Sequence, residues 1–99
     1  MQLHFIGKNI DVTDALKSIT IEKMKPLERH FPAIENVNIV FNVQHKSQLV
    51  EANVHFDGHD IHAHAEDEDM YNAIDQLVEK LLAQLTKVKE KIIDHHHQS

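Results

Sequence analysis

A chain of 99 residues has material for one hydrophobic core and not for two, so a single domain over residues 1–92 is expected. With 41% hydrophobic residues, no tryptophan and no cysteine, the composition describes an ordinary core of Leu, Ile, Val and Ala. It excludes disulfides, thiolate metal sites and a cysteine nucleophile. No run approaches the roughly 18 apolar residues of a membrane span, and the start MQLHFIGKNI lacks the pattern of a secretory signal, so the expected location is cytoplasmic with no membrane partner. The formal charge of −6 opposes a nucleic-acid partner only as a total. Six acids crowd residues 57–69 without a lysine or arginine, and the rest of the chain balances ten acids against ten bases, so the excess reads as one acidic corner.

Residues 2–6 alternate Leu3 and Phe5 with Gln2 and His4, a short strand ended by Gly7. Thr13 caps a helix reaching about Phe31, with Leu16, Thr20, Met24, Leu27 and Phe31 in one sector. Pro26 lies inside it and predicts a kink or break after Met24; Pro32 marks the exit. Two strands follow, Val37, Ile39, Phe41 and Val43 forming the apolar side of one and Val50, Ala52, Val54 and Phe56 that of the next. Asp57-Gly58 predicts a type I′ hairpin, which sets Phe56 opposite His59, Val54 opposite Ile61, Ala52 opposite Ala63 and Val50 opposite Ala65. From Asp69 to Lys91 the apolar residues Met70, Ile74, Leu77, Leu81, Leu85 and Val88 recur at helical spacing, and Ile92 continues the stripe. The order β-α-β-β-β-α makes this an α+β fold: a two-layer sandwich, a four-stranded sheet with two helices on one face. Residues 93–99, ending in DHHHQS, are expected to be a disordered tail.

On the last helix Lys80, Gln84, Lys87 and Lys91 fall within one angular stripe, away from the acids Asp75, Glu79 and Glu90. The last turns, with Lys87, Lys89 and Lys91, should overhang the sheet. Lysines at a helix C-terminus complement its dipole without any ligand, and that reading stands beside phosphate binding. Lys25 and Arg29, one turn apart on the first helix, form a second basic patch with the same two readings. Glu66, Asp67, Glu68 and Asp69 stand where carboxylates cap a helix and lack the apolar pocket of a catalytic pair. His55, His62 and His64 share one sheet face and are candidates for adventitious Co, Ni or Zn only, as are His95, His96 and His97. With two glycines in the chain there is no phosphate loop, and no nucleophile elbow or HExxH occurs. The reading is a binding protein, not an enzyme, with no cofactor and no small-molecule substrate.

Four stretches, MQLHFIGKNIDVTDALK, LERHF, IHAHAEDEDMYNAID and LVEKLLAQLTKVKEK, resemble the short ribosome hibernation promoting factors of the ribosome-associated translation inhibitor family. The resemblance runs nearly end to end. It implies a domain that docks in the decoding groove of the small ribosomal subunit, blocking messenger and transfer RNA in stationary phase. It also implies contact with 16S ribosomal RNA on 70S and 100S ribosomes, and joint action with ribosome modulation factor to favour inactive dimers. Carried over by position, Lys23, Lys25, Arg29, Lys80, Gln84, Lys87, Lys89 and Lys91 meet RNA phosphates, with Tyr71 a further contact. The chain departs from the family at Ala83 and Pro26, where bases are frequent. The alternative of another class is a general double-stranded RNA-binding module, which the acidic start of the last helix opposes.

Overall fold

The alternation and turn chemistry generate a hairpin-based sheet, and a computed structural model describes it for the backbone of residues 1–98 and the side chains of residues 1–92. The elements are β1 (Gln2–Lys8), α1 (Asp14–His30), β2 (Ile34–Gln44), β3 (Ser47–Phe56), β4 (His59–Asp67) and α2 (Met70–Gln98). One sheet has the spatial order β1-β2-β3-β4, with β1 parallel to β2 and the other pairs antiparallel. The helices cover one face, as expected for the two-layer sandwich.

Asp57 and Gly58 have φ of 49° and 79°, the left-handed pair that type I′ geometry requires. The register that follows is the predicted one, from Phe56 opposite His59 to Val50 opposite Ala65. Every apolar member of these pairs is buried, while Asn53, His62, Glu51 and His64 stand on the uncovered face. A one-residue slip would exchange the two sets, which is why register and burial agree. The turn between β2 and β3 was not predicted. It is made by His45 and Lys46, with His45 at φ 54°, and carries no glycine to announce it.

β1 runs through the expected stop at Gly7 and ends at Lys8. Gly7 marks a close approach instead: a Cβ there would stand 2.3 Å from the Ile10 carbonyl oxygen and 2.9 Å from Val12 Cγ2. The chain doubles back over the strand at that point. In α1 the Thr13 hydroxyl accepts a hydrogen bond from the Leu16 N–H at 3.1 Å, the predicted cap. The break expected at Pro26 does not occur, and α1 is one helix through to His30. Met24 and Leu27 flank the proline and are fully buried, so core packing holds the turn. The carbonyl of Glu22 that loses its partner belongs to an exposed residue, where solvent can satisfy it.

α2 supplies the longest apolar stripe. Ile74, Leu77, Leu81 and Leu85 are fully buried, and Val88 and Ile92 pack half-buried at the margin of the same core. α2 extends beyond the predicted end at Lys91. The expected disordered tail, residues 93–99 with its three consecutive histidines, falls outside the fully described residues.

Candidate nucleic-acid interface

The site is built from two helices that run in the same direction. Lys23 of α1 bonds to Asp75 of α2 at 2.5 Å, and Phe31 at the exit of α1 lies under Lys89 of α2, whose Nζ is 5.6 Å from the ring centroid. Advancing along one helix therefore advances along the other, and both C-terminal ends reach the same end of the molecule. Arg29 of α1 and Lys87, Lys89 and Lys91 of α2 thus lie towards the same end of the helical layer, Arg29 on the flank facing β1, beside Lys25 and Glu28, and Lys87 and Lys91 on the stripe that at Lys80 and Gln84 faces β4. The dipole of α1 ends there, with Arg29 in its last turn, while α2 runs on past Lys91. Lys89 sits over Phe31, and Ile92 packs against the core, so these lysines ride on the end of the body instead of overhanging it.

The eight predicted contacts do not form one surface. Lys80 donates to the backbone carbonyl of His64 at 2.7 Å, and Gln84 donates to that of His62 at 3.1 Å. Both fasten α2 along the outer edge of β4. Lys23 bridges the helices to Asp75, and Lys25 pairs with Glu22 of its own helix at 3.0 Å. Among the described residues Arg29, Lys87 and Lys91 have no ion-pair partner. Tyr71 is exposed but lies at the opposite end of α2, about 24 Å from Lys87 at 1.5 Å per residue. His30 was not singled out, yet it lines a cleft with Phe31, Leu82, Thr86 and Lys89 at the basic end. Nothing in helical spacing separates it from a solvated helix terminus.

The acids are distributed differently from the predicted corner. β4 carries them from Asp60 to Asp67, and Asp57 lies in the turn before it, so they run down one edge of the sheet. At the start of α2 two of them cap the helix. The Asp69 carboxylate accepts from the Tyr71 N–H at 2.8 Å, and Asp67 accepts from the Asp69 N–H at 3.0 Å and from Gln76 at 2.9 Å. The backbone bond from Asp69 is the main cause holding the Asp67 carboxyl below its ordinary pKa, with the Gln76 and Asn72 side chains and the Glu68 backbone adding to it against partial burial.

His55, His62 and His64 do share the uncovered face, but each has its own surroundings. His55 Nδ1 bonds Asp60 at 2.9 Å, with Glu35 3.5 Å from Nε2. His62 Nδ1 bonds the Asn53 carbonyl oxygen at 2.7 Å. The His62 and His64 rings are tilted, their centroids 6.3 Å apart. No group of three or more His, Asp or Glu among the described residues is placed to hold a metal ion. Among the same residues no helix is long and apolar enough to cross a membrane.

Known proteins are similar to this chain in sequence and in fold. The family described as sigma 54 modulation protein / S30EA ribosomal protein matches residues 3–93. The chain belongs to that family. It is 47% identical over 94 residues to the ribosome hibernation promoting factor of Azotobacter vinelandii, spanning 95% of this chain and 88% of that one. It is 44% identical over 95 residues to the factor of the same name from Klebsiella oxytoca, spanning 96% of this chain and all of that one. Among solved structures, a ribosomal subunit interface protein from Coxiella burnetii superposes with a TM-score of 0.86 at 34% identity, covering 91% of this chain and 99% of that chain. The N-terminal domain of Thermus thermophilus Protein Y gives 0.82 at 29% identity, covering 89% and 99%. The resemblance read from the sequence and the α+β architecture are both upheld. Nothing in the family's description or these relatives' names denotes a catalysed reaction, in keeping with a binding protein.

Proposed function

We propose that this protein is a ribosome hibernation factor that binds the small ribosomal subunit through its basic end. The observation that carries the reading is that Arg29, Lys87 and Lys91, without ion-pair partners among the described residues, lie towards one end of two parallel helices. Cations carried on rigid helices are placed to meet the phosphates of a folded RNA, and Lys89 and Lys25 add to them. In this reading 16S ribosomal RNA supplies the phosphates. The domain fills the decoding groove, excludes messenger and transfer RNA by its bulk, and with ribosome modulation factor favours paired, inactive ribosomes. It acts in the cytoplasm. Lys80, Gln84 and Lys23 hold α2 in place, with RNA contact secondary to that role.

Co-sedimentation with ribosomal particles across a salt series tests partner and mechanism together. With three or four phosphate contacts, log K should fall against log salt with a slope of about −3. Replacing both Lys87 and Lys91 by Glu should abolish retention on 30S particles while leaving the circular dichroism spectrum unchanged. Undiminished retention of that variant removes the basic end from the interface. A general duplex-RNA module is disfavoured by Asp67 and Asp69 at the start of α2, where such a module needs cations. A gel shift with plain duplex RNA should show no complex at concentrations that saturate ribosomes.

A further inference from the structure

The two edges of the sheet are finished differently. Along β4, Lys80 and Gln84 of α2 donate to the outward carbonyls of His64 and His62. Along β1, which pairs only with β2, no hydrogen bond from any other element reaches the backbone of Gln2 to Ile6 among the described residues. A strand paired on one side leaves the N–H and C=O of every second residue without partners. Apolar surface flanks this open edge on both sides. Ile6 is 55% exposed on the uncovered face and Ile21 of α1 is 42% exposed on the other, two of the three large exposed hydrophobic side chains among the described residues. Between β1 and α1 lies a groove of about 680 Å³ floored by Leu3, Phe5 and Ile21 and rimmed by Glu28 and Arg29. An open strand edge with apolar flanks is a template for strand addition.

We propose that the occupant is a second copy of this chain, adding its β1 antiparallel to the first about a two-fold axis through His4, so that two four-stranded sheets become one of eight strands. The sequence of the edge is self-complementary in that register. Leu3 stands opposite the partner's Phe5 on the groove side, and Phe5 opposite the partner's Leu3, which makes two apolar cross-strand pairs from one short strand. Residues 2–6 carry no acidic or basic side chain other than His4, so like charges do not oppose the approach. The opposite edge refuses it: β4 holds Asp60, Glu66 and Asp67, and α2 covers its carbonyls. Joining through β1 also leaves the two acidic edges at the far ends of the assembly, which minimises repulsion between chains of charge −6. The axis is perpendicular to the sheet, so all four helices stay on one face. Each α1 then closes the other copy's groove, with Glu28 and Arg29 offering opposite charges across the axis.

Sedimentation equilibrium on the full chain over a concentration series tests this, with amide hydrogen exchange on the same samples. An interface of one short strand and its flanks is at the small end of specific contacts, so the series should extend to the order of 1 mM. The wild-type mass should move from monomer towards dimer, and protection should rise with concentration at residues 2–6 and not at residues 59–67. His4→Glu sets two carboxylates face to face on the axis and should remove the dimer while the circular dichroism spectrum is unchanged; Ile6→Lys serves if that variant loses helicity. A wild-type protein monomeric throughout, equal dimerisation of the variants, or protection rising on β4 would each overturn the proposal. So would protection of residues 2–6 that arises only on ribosomes, which would assign the edge to a peptide of the particle.

Discussion

Single residues in this protein show how local chemistry decides tolerance. Gly7 has no room for a side chain, because the Ile10 carbonyl and the Val12 methyl already occupy the space of its Cβ. Gly7→Ala should destabilise the domain by about 1–3 kcal/mol, measured by urea denaturation, since the backbone at Ile10 and the Val12 side chain must both shift. At His55 the imidazole pKa is raised, chiefly by the hydrogen bond to Asp60, which desolvation opposes and the charges of Glu35 and Asp60 reinforce. A pKa raised in the folded state contributes stability that is full below the unfolded value of about 6.5 and is lost as pH rises through the folded value. NMR titration should find the pKa of His55 falling back towards its ordinary value in Asp60→Asn. His55→Gln should flatten the change in stability between about pH 6 and about pH 8. An unchanged slope in that variant would move the dependence to another histidine.

At the scale of elements, α2 is fastened at its start and along its side. Asp69 caps the first turn through the Tyr71 N–H and Asp67 supports it from behind. Asp69→Ala should cost about 1 kcal/mol, seen as a lower midpoint in thermal denaturation, with no loss of ribosome retention at temperatures where the variant is folded. Asp67, whose carboxyl is held below its ordinary pKa, contributes stability that is present above the unfolded carboxylate pKa and is lost as pH falls through the folded value. Lys80 and Gln84 close the β4 edge. Replacing both by Ala should deprotect the amides of α2's middle turns in hydrogen exchange before it alters retention on 30S particles. The reverse order would return these two residues to the RNA surface.

For the whole molecule, charge location matters more than charge total. A chain of −6 crowds six of its acids into residues 57–69, and among the described residues Arg29, Lys87 and Lys91 have no ion-pair partner. The steep salt dependence expected of ribosome binding belongs to this scale, because it counts phosphates met at once. Local patterning was legible throughout: the alternation of β2 and β3, the Asp57-Gly58 register, the Thr13 cap and the α2 stripe all depend on residues near one another in the chain. The His45-Lys46 turn was not, because no glycine marks it, and Pro26 misled because a buried Met24 and Leu27 outweigh one missing hydrogen bond. Site residues were legible as types and angles only. Helical spacing placed Lys80, Gln84, Lys87 and Lys91 on one stripe, but it contains no information about what lies across from each. By itself the sequence determined element order and the β3–β4 register, since these follow from periodicity and turn chemistry, and its resemblance to known factors indicated the family. Tertiary structure alone decided that Lys80 and Gln84 are spent on the β4 edge, that Lys23 joins the helices, and that α1 and α2 run parallel. Those outcomes depend on contacts between residues far apart in the chain, such as Lys23 with Asp75 and Phe31 with Lys89, which no local pattern encodes.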